Sequence, residues 1–232
     1  LSYERSGYEH RQKGAWYGKP GKLDLSKLAP VLGSRKNGTL KRHNEGVIHG
    51  RFQVLHNDHL KYLLAGKAMC RHLVVGITNP DPAQVKNESA DPHRSVPEAN
   101  PLTYYERYHL VRAALTEAGL SLNEFSVVPF PINSPENYRY YVPMDAVFFL
   151  TIYDDWGRQK KIYFESLSLN VHVLWEVKPD EKGISGSDVR SKMVDDLPWE
   201  HLVPGAVAAL LKEWKISERL RKIKYLGGGV FF

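Results

Sequence analysis

The sequence predicts a doubly wound α/β body, built on a five-stranded parallel sheet, with a helical C-terminal segment and a basic N-terminal extension. Three observations carry this. Short runs of continuously apolar residues recur without polar alternation, as strands buried on both faces do. Between them lie stretches of helical periodicity with start and stop signals. The charge also separates along the chain. The formal net charge is +6 over 232 residues, and residues 1–46 hold ten Lys and Arg against four Asp and Glu. Residues 47–232 hold 22 of each sign. The chain therefore divides into an extension, 1–46, and an electrically balanced domain, 47–232.

The extension is rich in Gly, Lys and Ser, with Tyr3, Tyr8, Trp16 and Tyr17 scattered through it. A basic arm suits nucleic acid or an acidic surface, or simply stays solvated. Its aromatics lack a regular basic–aromatic spacing, so wrapping onto the body is the better reading than base stacking. The first strand is read at Gly46–Gly50 and the first helix over Asn57–Met69, with Leu60, Leu63, Leu64, Ala65 and Ala68 on its apolar side. His72–Ile77 is the second strand. Thr78–Pro101 carries prolines at 80, 82, 92, 97 and 101, too many for a helix or a central strand. A connection of that length inside a compact domain is commonly a functional loop.

Thr103 and Glu106 have the spacing of a capping box, which starts a helix that runs to Ala118 and stops at Gly119. Phe125–Phe130 and Ala146–Ile152 read as the third and fourth strands. A helix over about Trp156–Leu167 precedes the fifth strand, Val171–Trp175. From Ser187 onward the chain is helical, with Gly227–Gly229 as a tail. In such a fold, ligands bind beyond the carboxyl ends of the strands.

Composition excludes several classes. A hydrophobic fraction of 42% is too high for a disordered chain. No apolar run reaches the roughly 20 residues of a membrane helix, and the first residues lack the layout of a secretory signal. Cys70 is the single cysteine, which forbids an internal disulfide and fits a reducing, cytoplasmic setting. There is no Walker-type loop, no GxGxxG after the first strand, no zinc-spaced Cys/His set and no GxSxG elbow.

What remains is the first strand-to-helix turn, Gly50-Arg51-Phe52-Gln53-Val54-Leu55-His56-Asn57-Asp58-His59. Histidines three apart at a helix start point from nearly one face. The free amides there favour phosphate, and Gly50 lets backbone approach a ligand. Two imidazoles in this place either grip phosphate oxygens or merely cap the helix and pack.

This turn resembles the HxGH nucleotidyltransferase superfamily (cytidylyltransferase-like), most of all its archaeal-type nicotinamide mononucleotide adenylyltransferases. Asn100-Pro-Leu-Thr-Tyr-Tyr-Glu-Arg107, Ile184-Ser-Gly-Ser-Asp-Val-Arg190 and Trp199-Glu-His-Leu-Val-Pro204 resemble three further motifs of that group, in order over about 47–224. The resemblance implies a Rossmann-like body and transfer of a nucleoside monophosphate from a Mg²⁺-bound nucleoside triphosphate to a phosphate-bearing acceptor, with release of pyrophosphate. It implies His56, His59 and Arg190 as catalytic groups. Gly50, Arg51, Phe52, Ser185, Gly186 and Ser187 would hold the nucleotide, with no metal ligand from the protein itself.

Two departures from the family pattern stand out. Asp58 occupies the family's Gly position. A carboxylate there repels a triphosphate unless it turns away or helps bind the metal, and an inactive relic is the other reading. The acceptor segment also differs, with Pro131-Ile-Asn-Ser-Pro-Glu-Asn-Tyr-Arg-Tyr-Tyr141 in place of the Trp-containing stretch. Asn79, His93, Arg94, Tyr138 and Tyr141 are the candidate acceptor contacts. These differences also resemble the cytidylyltransferase domains that activate phosphonates in fosfomycin-type pathways. The expected reaction is thus ATP with nicotinamide or nicotinate mononucleotide, or else CTP with a small phosphonate. A reading of another class is a degenerate pocket on a binding module that works through the basic arm. A homo-oligomer is compatible with the sequence; membrane and nucleic-acid partners are not expected.

Overall fold

The structure, a computed structural model, describes residues 42–81, 96–178, 181 and 183–226. Five parallel strands, β1 (His43–Gly50), β2 (Cys70–Thr78), β3 (Phe125–Phe130), β4 (Val147–Ile152) and β5 (Asn170–Glu176), form one sheet in the order β3-β2-β1-β4-β5. Helices α1 (Asn57–Met69), α2 (Tyr104–Glu117) and α3 (Asp155–Ser166) connect or flank them. Three more helices follow the sheet: α4 (Gly186–Val194), α5 (Gly205–Glu213) and α6 (Ile216–Leu226).

The continuous apolar runs are explained by burial on both faces. On one face Ile48, Leu73, Val75, Ile77 and Phe149 pack with Leu63 of α1, Leu110 of α2, and Val189, Val207 and Leu220 of the C-terminal helices. On the other, Val47, Val74, Phe148 and Leu150 pack with Phe164 of α3 and with Phe130 and Tyr138. Successive residues of a strand thus feed opposite cores, as the pleat requires. Gly66 lets α1 lie close on the sheet, where a Cβ would strike the Ile48 side chain.

β1 begins at His43, so the sequence boundary at 46/47 falls inside a strand. His43 and Asn44 are exposed at the solvated end of the sheet and give no apolar signal. The other expected elements are present within one or two residues of their expected limits. Thr103 accepts from the Glu106 amide at 3.1 Å while the Glu106 carboxylate accepts from the Thr103 amide at 2.8 Å, and Gly119 ends that helix at φ +91°. The remaining residues of the extension, 1–41, and the Gly227–Gly229 tail lie outside the described residues.

One detail of the register prepares the site. β1 pairs with β4 only through Gly46–Val147 and Val47–Phe148, although both strands continue. β1 and β4 are where the winding of the sheet reverses, the place beyond whose carboxyl ends doubly wound sheets bind ligands.

Candidate functional site

The turn after β1 is held from several sides. Phe52 adopts φ +52° and is buried, an unfavourable backbone state for an aromatic residue that the surrounding contacts must hold. Its ring meets His59 edge-on at 5.2 Å. The Gln53 side chain exchanges two hydrogen bonds with the backbone of Leu102, its amide donating at 2.8 Å and its oxygen accepting at 2.9 Å. The first motif is thereby fixed to the start of α2.

Arg107 does the same from below. It is buried, and its guanidinium donates to the carbonyls of Thr78 (2.7 Å), Asn79 (2.8 Å), Arg51 (3.1 Å) and Thr103 (3.2 Å). Desolvation lowers its pKa to about 10, which leaves it charged at neutral pH. Glu106 beside it forms a two-pronged pair with Arg219 of α6, at 2.7 and 2.8 Å, and Arg219 also donates to the Pro101 carbonyl.

At the start of α1, His56 takes the N-cap position and His59 lies one turn on. Their rings stack with centroids 3.7 Å apart, and the His56 amide donates to His59 Nδ1 at 3.4 Å. Burial lowers the His56 pKa to about 4, with Arg190 adding to the effect. His59 is held well below the ordinary value by removal from water, then by His56. Both imidazoles are neutral at pH 7 in the free protein. His56 Nδ1 is buried without a hydrogen-bond partner among the described residues.

The second motif meets the first here. Ser185 caps α4 and exchanges hydrogen bonds with Asp188, the Ser185 amide donating at 2.8 Å and the Asp188 amide returning at 3.2 Å. Arg190, one turn into α4, donates to the Gln53 carbonyl and to Ser187 Oγ. Gly186 lies flush on the same carbonyl; a Cβ there would sit 2.7 Å from the Gln53 oxygen. The starts of α1 and α4, two neutral imidazoles and the Arg190 guanidinium therefore converge, and burial, then the nearby Arg51 guanidinium, lowers the Arg190 pKa to about 10. Such a cluster can bind a polyphosphate and stabilise negative charge developing on it.

Asp58 does not face into this cluster. Its Oδ2 accepts a hydrogen bond of 2.7 Å from the Ile184 amide, in the segment that leads into α4.

The acceptor candidates separate. Asn79 lies buried at the end of β2 with its carbonyl held by Arg107. Tyr138 is fully buried against Phe130, and its hydroxyl donates to the Ile132 carbonyl at 2.6 Å. Packing takes up its ring, which leaves no face for stacking a ligand. Tyr141 is 40% exposed. His93 and Arg94 lie outside the described residues.

Sequence reasoning missed His49, just past the last β1–β4 pair. It is buried between Phe130 and Phe164, and neither ring nitrogen has a partner among the described residues. Burial, with Lys160 second, keeps it neutral. Nothing in a short apolar strand marks such a residue. Sequence reasoning also missed Gln53 and Arg219 as fasteners of the site, because their partners are backbone or distant in sequence.

A cytidylyltransferase-like family model matches residues 47–192. The phosphonoformate cytidylyltransferase of Streptomyces viridochromogenes is 53% identical over 76% of this chain and 95% of its own length. The nicotinamide-nucleotide adenylyltransferase of Thermococcus onnurineus is 28% identical over 77% of this chain and 87% of its own. Among solved structures, a bifunctional NMN adenylyltransferase/ADP ribose pyrophosphatase from Francisella tularensis superposes with a TM-score of 0.54 at 12% identity. That match covers 79% of this chain and 54% of the other, so this chain spans about half its length, and the likeness is one of fold.

Proposed function

Because this chain belongs to the cytidylyltransferase-like family, and so is a nucleotidyltransferase, we propose that it transfers a cytidylyl group from CTP to a small phosphonate acceptor. The convergence of the α1 and α4 starts around His56, His59 and Arg190 carries the group-transfer part of this reading. Likeness over nearly the whole length of a phosphonoformate cytidylyltransferase supports the base and the acceptor. Burial of Tyr138 supports a small acceptor, since that ring cannot clamp a nicotinamide.

In this reading a phosphonate oxygen attacks the α-phosphorus of CTP. The new P–O bond forms as the bond to the β-phosphate oxygen breaks, and pyrophosphate leaves in line. His56, neutral beforehand, donates its ring N–H to a phosphate oxygen with the His59 ring stacked on it, and the bound charge favours protonation of the pair. Ser187, Arg190 and the α4 amides hold the leaving pyrophosphate, and Arg51 neutralises charge. Gly50 and Phe52 shape the turn beneath the nucleotide.

Mg²⁺ in this reading arrives on the triphosphate as part of the substrate. Among the described residues no three His, Cys, Asp or Glu side chains gather as a cage for it, and Asp58 and Asp188 are occupied with backbone amides. Among the described residues no helix is long and apolar enough to cross a membrane.

The second reading, ATP with nicotinamide mononucleotide, is favoured by the archaeal relatives. Pyrophosphate release from ATP and CTP against nicotinamide mononucleotide, nicotinate mononucleotide and phosphonoformate separates the two. Fastest turnover with CTP and phosphonoformate is expected, and faster turnover with ATP and a mononucleotide would replace that reading. His56→Ala should lower kcat by about a hundredfold, the scale of losing one transition-state donor. Unchanged turnover would remove His56 from the reaction.

A further inference from the structure

We propose that Asp58, the residue standing where the superfamily pattern has Gly, is a positioning residue that sets the second phosphate-binding motif against the first. The proposal rests on the nucleotidyl-transfer reading of the site. Asp58 lies in the first turn of α1, and its carboxylate accepts the Ile184 amide at 2.7 Å, across 126 residues of sequence. That amide comes one residue before Ser185, the cap of α4, so its position fixes where α4 begins.

The chain on both sides of this bond is shaped to it. At Gly183 a Cβ would collide with Asp58 Oδ2, whereas no positive φ demands a glycine there. At Gly186 a Cβ would collide with the Gln53 carbonyl, which also accepts from Arg190. The α4 entry is thus tethered at Asp58 on one side and at Gln53 on the other. Turned toward Ile184, the carboxylate spends its charge on an amide rather than on the triphosphate. The family's Gly has no side chain with which to make this bond.

Holding α4 against α1 affects ground state and transition state alike, because the β- and γ-phosphates are gripped in both. Its loss should therefore raise KM for the nucleotide and spare kcat. Hydrogen bonds to charged groups are worth about a factor of ten or more. In the full chain with Mg²⁺-CTP and phosphonoformate, Asp58→Gly should raise KM for CTP about tenfold with kcat within about twofold. Asp58→Asn, which keeps an acceptor oxygen, should recover most of that loss.

Gly183→Ala should be damaging in the wild-type background and add nothing in the Asp58→Gly background, because the atom it strikes is gone. Urea midpoints of all variants check that each is folded. An unchanged KM in Asp58→Gly overturns the proposal, as does Asp58→Asn behaving like Asp58→Gly, or Gly183→Ala costing as much with and without Asp58. A wild-type chain that releases no pyrophosphate with any nucleotide and acceptor overturns the functional reading instead, and the proposal falls with it.

Discussion

Replacing Arg107 with Lys keeps the charge and most of the length, yet it should be among the more damaging changes in the domain. The guanidinium donates to four carbonyls, those of Arg51, Thr78, Asn79 and Thr103, between 2.7 and 3.2 Å away. An ammonium has three N–H bonds radiating from one point and cannot span acceptors spread over three chain segments. At least two buried carbonyls lose their donor, each costing about 1–3 kcal/mol. The expected loss is about 3–5 kcal/mol, a large share of the roughly 5–15 kcal/mol of a typical domain. For a domain of this size it should lower Tm by about 10 °C. Urea unfolding of wild type and Arg107→Lys, with m-values compared, measures it. Activity of the folded fraction should fall as well, since the Arg51 backbone and the end of β2 lose a shared anchor. A loss below about 1 kcal/mol would mean that water or the lysine satisfies those carbonyls, and the account of Arg107 would be wrong.

The free protein should lose stability as pH falls from about 6.5 toward 4. His56 has a folded pKa of about 4 against an ordinary value of 6.5, so across that window the unfolded chain binds a proton that the folded chain refuses. The contribution is roughly 3 kcal/mol from His56, with His59 acting in the same direction; urea midpoints at pH 7.5 and 4.5 test it, and a flat profile would contradict it. Nucleotide binding should correspondingly take up protons, visible as a buffer-dependent heat in titration calorimetry. The Glu106–Arg219 pair, two-pronged and mostly shielded from solvent, should show a coupling of about 1–3 kcal/mol in a double-mutant cycle using Glu106→Gln and Arg219→Met.

The sheet and its helices were legible in the sequence because their signals are local. Buried strands such as Val74–Ile77 are apolar without interruption, and the Thr103–Glu106 capping box marks its helix start by residue type and spacing alone. The stacked pair His56 and His59 at the head of α1 was legible for the same reason, as a spacing of three at a helix start. The start of β1 was not, because His43 joins the sheet through its pairing with Cys70 of β2 while the His43 and Asn44 side chains are exposed. Tyr138, one of the candidate acceptor contacts, lies in the core, and sequence alone does not distinguish a buried tyrosine from an exposed one. The fasteners were hidden more deeply. Gln53, Arg107 and Asp58 act on backbone amides and carbonyls, which every residue carries, so no pattern of side chains announces the partner.

The tie between α6 and the start of α2 has a practical consequence for where this protein can be cut. A fragment cut at residue 192, where the family model stops matching, would keep the two histidines and Arg190. It would lack Arg219, whose guanidinium closes over Glu106 and the Pro101 carbonyl. It would also lack the His201 carbonyl that accepts from Asn57 at the head of α1. The smallest expressible unit therefore runs well past the last motif, at least through α6. Fusions, tags and proteolytic boundaries belong beyond Leu226.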